Sequence, residues 1–182
     1  PTTATIRSLR RMNKEEVYAF LRERGIPFEL VEHAAVYTME DLAAVLLPHP
    51  EAEAKNLFVR DDKKKNYYLL AVKGDKRPGL KAFRRLADTR PLTFATPEEL
   101  SACLGLTPGA VTPLGVLNDE ERRVAFFLDE ALFSGDGIVG VHPNDNTATV
   151  YLSVNDLVCL IREHGNPVDV VKIPDMSWKE KS

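Results

Sequence analysis

The chain has 182 residues, 44% hydrophobic and 28% charged, with a net charge of −3. That suffices for one soluble domain with a real core, and its apolar runs fall far short of the roughly 20 residues that cross a bilayer. The opening PTTATIRSLRRM lacks the apolar segment of a signal peptide, so no membrane association and a cytoplasmic location are expected.

Residues 1–12 read as a flexible basic arm in which Arg7, Arg10 and Arg11 could touch phosphates. The start at Pro1 without Met is read as processing, or as a piece of a longer protein. A helix follows at about 14–24, capped by Asn13 and closed by Gly25, with Val17, Phe20 and Leu21 on one face. Residues 27–32 alternate as a short strand. Thr38-Met-Glu-Asp41 is a capping box opening a second helix through about Leu47, with Leu42, Val45 and Leu46 inward.

The organising stretch is 55–72, KNLFVRDDKKKNYYLLAV, two apolar strands joined by the charged turn 61–66. A helix at about 80–87 turns Leu80, Phe83 and Leu86 inward. A short strand at 92–95 precedes Thr96-Pro-Glu-Glu99, a second capping box whose helix runs to about Leu104. Residues 105–115 form a loop. Strands are expected at 124–132, 138–141 and 147–152. Ser153 caps a helix over about 154–164, and 168–173 closes the chain as a strand. The main domain thus spans 13–174, followed by a tail at 175–182.

No regular βαβ rhythm runs through these elements, and neither GxGxxG nor GxxxxGK[ST] occurs. The expected fold class is α+β, a mixed, largely antiparallel sheet with flanking helices. Cys103 and Cys159 fall on predicted helices without a CxxC partner, and are read as buried thiols rather than a disulfide or metal ligands.

Charge is distributed unevenly. Residues 55–90 hold twelve basic and four acidic side chains, half the positive charge of the chain. A local anionic partner, nucleic acid first, would account for this; so would a solvated basic face.

HExxH and GxSxG are absent, and His33, His49, His142 and His164 lack metal-ligand spacing, so neither a metal site nor a protein nucleophile is expected. Three features can carry chemistry. Lys55-Asn56 stands at a strand end, where a cation can lean over a sheet face toward an anion. Gly109-Ala-Val-Thr-Pro113 combines a permissive residue with a rigid one, and such a loop can aim N–H groups at a developing oxyanion. His142, just after a strand and before Pro143, can hydrogen-bond a ligand and titrate near neutrality. Taken singly, each has a plainer reading: a surface lysine, an ordinary loop, and a turn or core histidine.

The ordered set changes that balance. Lys55-Asn-Leu-Phe58, Phe94-Ala-Thr-Pro-Glu-Glu99, 105–113 (GLTPGAVTP), Leu128-Asp-Glu-Ala-Leu132, Val141-His-Pro143 and Asn146-Thr-Ala-Thr-Val150 follow one another through the chain. Together they resemble the YbaK/prolyl-tRNA synthetase editing-domain superfamily, over roughly residues 14–173. Within it the chain is most similar to the ProXp-ala/PrdX group of Ala-tRNA(Pro) deacylases, whose histidine-proline turn followed by Asn-Thr is matched by His142, Pro143, Asn146 and Thr147.

The resemblance implies a YbaK-like fold and hydrolysis, without a cofactor, of the ester joining a mischarged amino acid to the terminal adenosine of tRNA(Pro). Lys55, Gly109 and His142 are the implied catalytic set. Lys55 would bind phosphate or backbone near that adenosine, and 109–113, with Ala110 and Pro113, would position the ester and a water. His142 would hold the 3′ end or the amine. The ribose hydroxyl and bound water would do the proton work. Thr38, Asn56 and Asn146 are further substrate contacts. Val31, Val36, Met39 and Leu57 are candidates for a small apolar pocket, each equally a core residue. Lys63, Lys64, Lys65, Lys81, Arg84 and Arg85 would bind the acceptor stem. The partners implied are the acceptor end of tRNA(Pro) and prolyl-tRNA synthetase, with the chain a monomer. Two alternatives remain: a Cys-tRNA(Pro) deacylase, and a non-catalytic tRNA-binding domain appended to a prolyl-tRNA synthetase.

Overall fold

The structure, a computed structural model, describes residues 11–35, 38, 40–41 and 47–175. The expected helix body at 42–46, the candidates Val36 and Met39, the arginines Arg7 and Arg10 and most of the C-terminal tail lie outside them. The capping box itself is present: Thr38 and Asp41 exchange hydrogen bonds of 3.2 and 3.0 Å.

The first helix, α1 (Lys14–Glu23), begins where the Asn13 side chain accepts from the Glu16 N–H, and buries Val17, Tyr18 and Leu21. The chain then forms β1 (Phe28–Glu32), β2 (Ala54–Asp61), β3 (Tyr67–Lys73), α2 (Leu80–Ala87), β4 (Leu92–Phe94) and α3 (Pro97–Leu104). It closes with β5 (Val124–Asp129), β6 (Ile138–Val141), β7 (Ala148–Ser153), α4 (Val154–His164) and β8 (Val168–Val171). The α3 capping box is complete, with Thr96 and Glu99 each bonding the other's backbone N–H.

The strands divide between two sheets. One is three-stranded and antiparallel, in the order β1-β7-β6. The other is five-stranded and mixed, in the order β4-β2-β3-β5-β8, with β3-β5 and β5-β8 parallel. The three-stranded sheet is closed by chain ends far apart in sequence, Phe28 pairing with Leu152 and Glu32 with Ala148.

Alternation explains the packing. Phe58, Leu69, Ala71, Phe126 and Leu128 face the main core, where they meet α1, α3, α4 and the smaller sheet. Val59, Leu70, Val72 and Phe127 point the other way, onto Phe83 of α2 and Ile173. Strands buried on both faces read as continuous apolar runs, as here. Each fully buried Leu or Phe contributes about 1.5–3 kcal/mol.

Several boundaries differ from expectation. The strand expected at 124–132 ends at Asp129, whose buried carboxylate accepts the Ala131 N–H at 3.2 Å and turns the chain into a 3-10 segment, Glu130–Phe133. The closing strand likewise stops at Val171. The loop 105–115 contains two short 3-10 segments, Pro108–Ala110 and Pro113–Asn118. Cys103 is buried as expected, but Cys159 is exposed, because it falls on the outward side of α4 between inward Val158 and Leu160. The end of the basic arm is anchored: Arg11 Nη2 donates to Ser101 Oγ at 2.8 Å, and the Met12 N–H to Asn118 Oδ1 at 2.9 Å.

Candidate active site

Where the N-terminal half of β2 faces the end of β6, the two sheets enclose a cavity of about 340 Å³. The sheets touch here through a parallel bridge between Glu53 and Gly140. Strand β2 contributes Ala54, Lys55, Asn56 and Leu57; the 3-10 turn in the loop after α3, with the residue that follows it, contributes Pro108, Gly109 and Val111; β6 and the residue after it contribute Gly140, Val141 and His142. Thr149 and Tyr151 of β7, with Thr38, Leu47 and Glu53, complete the described wall.

Of the sequence candidates, Lys55, Asn56, Gly109, His142, Thr38 and Leu57 are therefore brought to one cavity. Ala110 and Pro113 stand behind the wall. Both are buried, and the Ala110 N–H closes the 3-10 turn onto the Thr107 carbonyl at 3.0 Å, so the loop does not present that N–H to a substrate. Asn146 lies half-buried in the β6–β7 connection and Val31 in β1, neither on the wall.

Lys55 Nζ donates to the Lys76 carbonyl at 2.8 Å, which pins the side chain across the strand end. The Asn56 side-chain oxygen is buried and accepts no hydrogen bond from the described residues. A buried acceptor in that condition costs about 1–3 kcal/mol unless something fills it, so it is a ready receptor for a donor entering the cavity.

His142 is the best-defined polar group. Its Nδ1 lies 2.9 Å from the Ala148 carbonyl. A carbonyl only accepts, so Nδ1 carries the proton and Nε2 is left as an acceptor in the neutral ring. Burial, reinforced by the neighbouring His33 ring 6.2 Å away, holds the imidazole below the ordinary histidine range. The turn is fixed from two sides. Thr112 Oγ1, fully buried, donates to the His142 carbonyl at 2.5 Å. Asp145 accepts from the Thr147 N–H at 2.8 Å and is kept ionised by that residue's hydroxyl.

Glu53, Thr149 and Tyr151 were not singled out in the sequence. Burial raises the Glu53 carboxyl. Burial and the nearby carboxylates of Glu53, Glu29 and Glu51 push the Tyr151 phenol up to about 12. Thr149 Oγ1 lies 2.9 Å from His33 Nε2. The available signal was the alternation in β7: Val150 and Leu152 enter the main core, so Thr149 and Tyr151 must face the other way.

The six candidate acceptor-stem residues are not at the cavity. Lys63, Lys64 and Lys65 are exposed at the tip of the β2–β3 hairpin, about 25 Å along the strand from Lys55 at roughly 3.3 Å per residue. Lys81, Arg84 and Arg85 are exposed on α2. Much of the remaining basic segment is neutralised within the fold. Arg60 pairs with Glu99 at 2.8 Å, Lys76 with buried Asp129 at 3.0 Å and Arg90 with Asp62 at 2.7 Å, and Lys73 Nζ donates to the Glu51 carbonyl.

A family model described as the aminoacyl-tRNA editing domain matches residues 33–160, a span that contains the whole described wall of the cavity. The chain belongs to the aminoacyl-tRNA editing domain family. It is 39% identical over 160 residues to the prolyl-tRNA editing protein ProX of Acetoanaerobium sticklandii, covering 88% of this chain and 97% of that one. It is 33% identical over 162 residues to the prolyl-tRNA synthetase associated domain-containing protein 1 of Mus musculus, covering 85% and 95%. Among solved structures, this editing domain is similar to a candidate trans-editing enzyme for prolyl tRNA synthetase, with a TM-score of 0.70, 25% identity and coverage of 89% and 96%. A hypothetical protein at 23% identity shares the fold, with a TM-score of 0.68 over 88% and 99% of the two chains.

Proposed function

We propose that this editing domain is a trans-acting deacylase that removes alanine from mischarged tRNA(Pro), acting on the acceptor end in the cytoplasm alongside prolyl-tRNA synthetase. The observation that carries the reading is the convergence of Lys55, Asn56 and His142 on one small cavity, in a chain related to a prolyl-tRNA editing protein. At about 340 Å³ the cavity is at the low end of ligand sites, which run about 300–1,000 Å³. That suits an aminoacyl ribose with a short side chain.

The reaction adds water across the ester. The water oxygen bonds to the acyl carbon, the bond to the ribose oxygen breaks, and that oxygen leaves as a hydroxyl with the proton. An aminoacyl ester is already activated, so positioning and electrostatics can supply the acceleration. Neutral His142, with Nε2 as acceptor, can take a hydrogen bond from the ribose hydroxyl or the α-ammonium. The Asn56 carboxamide oxygen can take a second. Lys55 supplies positive charge where the carbonyl oxygen or the terminal phosphate lies. The apolar wall of Leu57, Val111 and Val141 receives the methyl group. Such walls discriminate weakly, about 10–200-fold per methylene, so a bulkier prolyl group is excluded by size more firmly than serine is by polarity.

The test is release of alanine, cysteine, serine and proline from separately charged tRNA(Pro), with wild type and Lys55→Ala in parallel. Rapid loss of alanine alone, dependent on Lys55, is expected. Rapid loss of cysteine instead would move the chain to the cysteine-specific branch, and loss of none with tRNA still bound would make it a binding domain.

A further inference from the structure

A smaller groove of about 180 Å³ adjoins the cavity. The two share Asn56, Leu57, Pro108 and Val111 as a common wall. They are therefore neighbouring compartments on one surface. The outer groove carries no charged side chain among its described lining, and its rim is Phe94 at the end of edge strand β4. Phe94 is 58% exposed, more than any other large apolar side chain among the described residues. It is held in place from behind: β4 pairs with β2 through Val59 and Phe94, and the Ala95 N–H donates to the Phe58 carbonyl at 3.0 Å.

An exposed aromatic ring on a rigid strand, beside an uncharged groove, fits a flat neutral heterocycle and not a phosphate. Base–aromatic stacking is sequence-tolerant and serves single-stranded ends. We propose that the Phe94 groove is the subsite for the nucleobase of the terminal adenosine, whose ribose carries the ester held in the adjoining cavity. The assignment rests on the deacylase reading for its substrate. The base joined to the esterified ribose is one sugar away from the acyl group, and the groove is one shared wall away from the cavity. Phe94 is thus a substrate-positioning residue: it anchors the base so that the ester reaches Asn56 and His142.

A microhelix RNA of the tRNA(Pro) acceptor stem, carrying 2-aminopurine at its 3′ terminus, is titrated with wild type, Phe94→Ala and Phe94→Tyr. Stacking quenches the probe. Wild type and Phe94→Tyr should quench it, and Phe94→Ala should quench little and bind about tenfold more weakly. In deacylation of Ala-tRNA(Pro), Phe94→Ala should raise KM about tenfold with kcat much less affected, and Phe94→Tyr should restore KM. The ring is on the surface, so circular dichroism should report an intact fold in each variant. Equal quenching by wild type and Phe94→Ala, or none by wild type, overturns the subsite even if alanine is released. Phe94-dependent quenching by a protein that deacylates no charged tRNA upholds the subsite and overturns the hydrolase reading.

Discussion

The hydroxyl of Thr112 holds His142 by its backbone, donating to the His142 carbonyl at 2.5 Å from a fully buried position. The same oxygen accepts the Leu114 N–H at 3.3 Å. The Gly109–Pro113 loop therefore reaches the site in two ways: Gly109 lines the cavity, and Thr112 fixes the turn that carries the imidazole. Thr112→Val removes the donor at nearly constant volume and takes a hydrogen bond from the His142 carbonyl, a cost of about 0.5–1.5 kcal/mol. Thermal unfolding should show that loss, and deacylation should fall about tenfold in kcat. Thr112→Ser should recover both, which a simple packing role for the methyl group would not produce.

Asn56→Leu keeps the bulk of the side chain and removes the buried acceptor. Because that oxygen has no partner among the described residues, the free protein should lose no stability and gain a little. Turnover should fall, by about 10–100-fold in kcat/KM if the oxygen meets a charged amine, since hydrogen bonds to charged groups are worth about 1.5–3 kcal/mol. Steady-state kinetics beside a melting curve separates the two effects, and a drop in stability with unchanged kinetics would remove Asn56 from the substrate contacts.

The pH dependence follows from His142. Its folded pKa is lowered, chiefly by burial, so below the unfolded value the unfolded chain binds more protons. Stability contributed by the neutral ring is present above about pH 6.5, the reference value, and is lost as pH falls toward the folded pKa. Activity that needs the Nε2 lone pair should persist below pH 6.5 and fail only at the lower folded pKa. A kcat profile with its acid limb at or above 6.5 would show that the charged ring is not what limits the reaction.

Glu99 ties three elements together. Its carboxylate accepts from Arg60 at 2.9 Å, from the Tyr67 hydroxyl at 2.9 Å and from the Thr96 N–H at 3.1 Å. Burial opposes its ionisation, but these hydrogen bonds prevail and bring its pKa to about 2. A depressed acid stabilises above its unfolded pKa, about 4.3, and that contribution disappears as pH falls from there to about 2. Glu99→Gln should destabilise by about 2 kcal/mol at pH 7 and by progressively less in acid, as measured by urea melts across pH.

The exposed cations test where the RNA lies. Charge reversal at Arg84 and Arg85 should weaken tRNA binding and flatten its salt dependence, because each lost phosphate contact releases fewer counterions. The same change at Lys63, Lys64 and Lys65 reports whether the stem extends to the hairpin tip. Filter binding over a salt series that is unmoved by either set would place the stem on neither surface.

The sequence made the site legible where its residues mark the ends of regular elements. Lys55 and His142 could be picked out because each interrupts an apolar strand at its boundary, and the helices announced themselves through Asn13, Thr96 and Ser153, each of which caps as expected. What stayed hidden depends on contacts between distant segments. The split into two sheets requires β1 to pair with β7, more than a hundred residues later. The basic segment looked freer than it is, because Glu99 and Asp129, which neutralise Arg60 and Lys76, lie outside it. Ala110 and Pro113 share a motif with Gly109 and Val111, but they lie in 3-10 turns that put successive residues on different sides, and only Gly109 and Val111 of that motif line the cavity.

Gly140 stands opposite Glu53 at the seam between the two sheets, and a Cβ there would meet Tyr151 Cε1 at 2.7 Å. The ring that forms one wall can sit where it does only because residue 140 has no side chain. The bare backbone at residue 140 therefore sets how close the Tyr151 ring stands to the seam, while Lys55 and Asn56 are neighbours on β2. If the cavity sorts aminoacyl groups as proposed, Gly140→Ala should shift the ratio of alanine to larger amino acids released from charged tRNA(Pro) more than it lowers overall turnover.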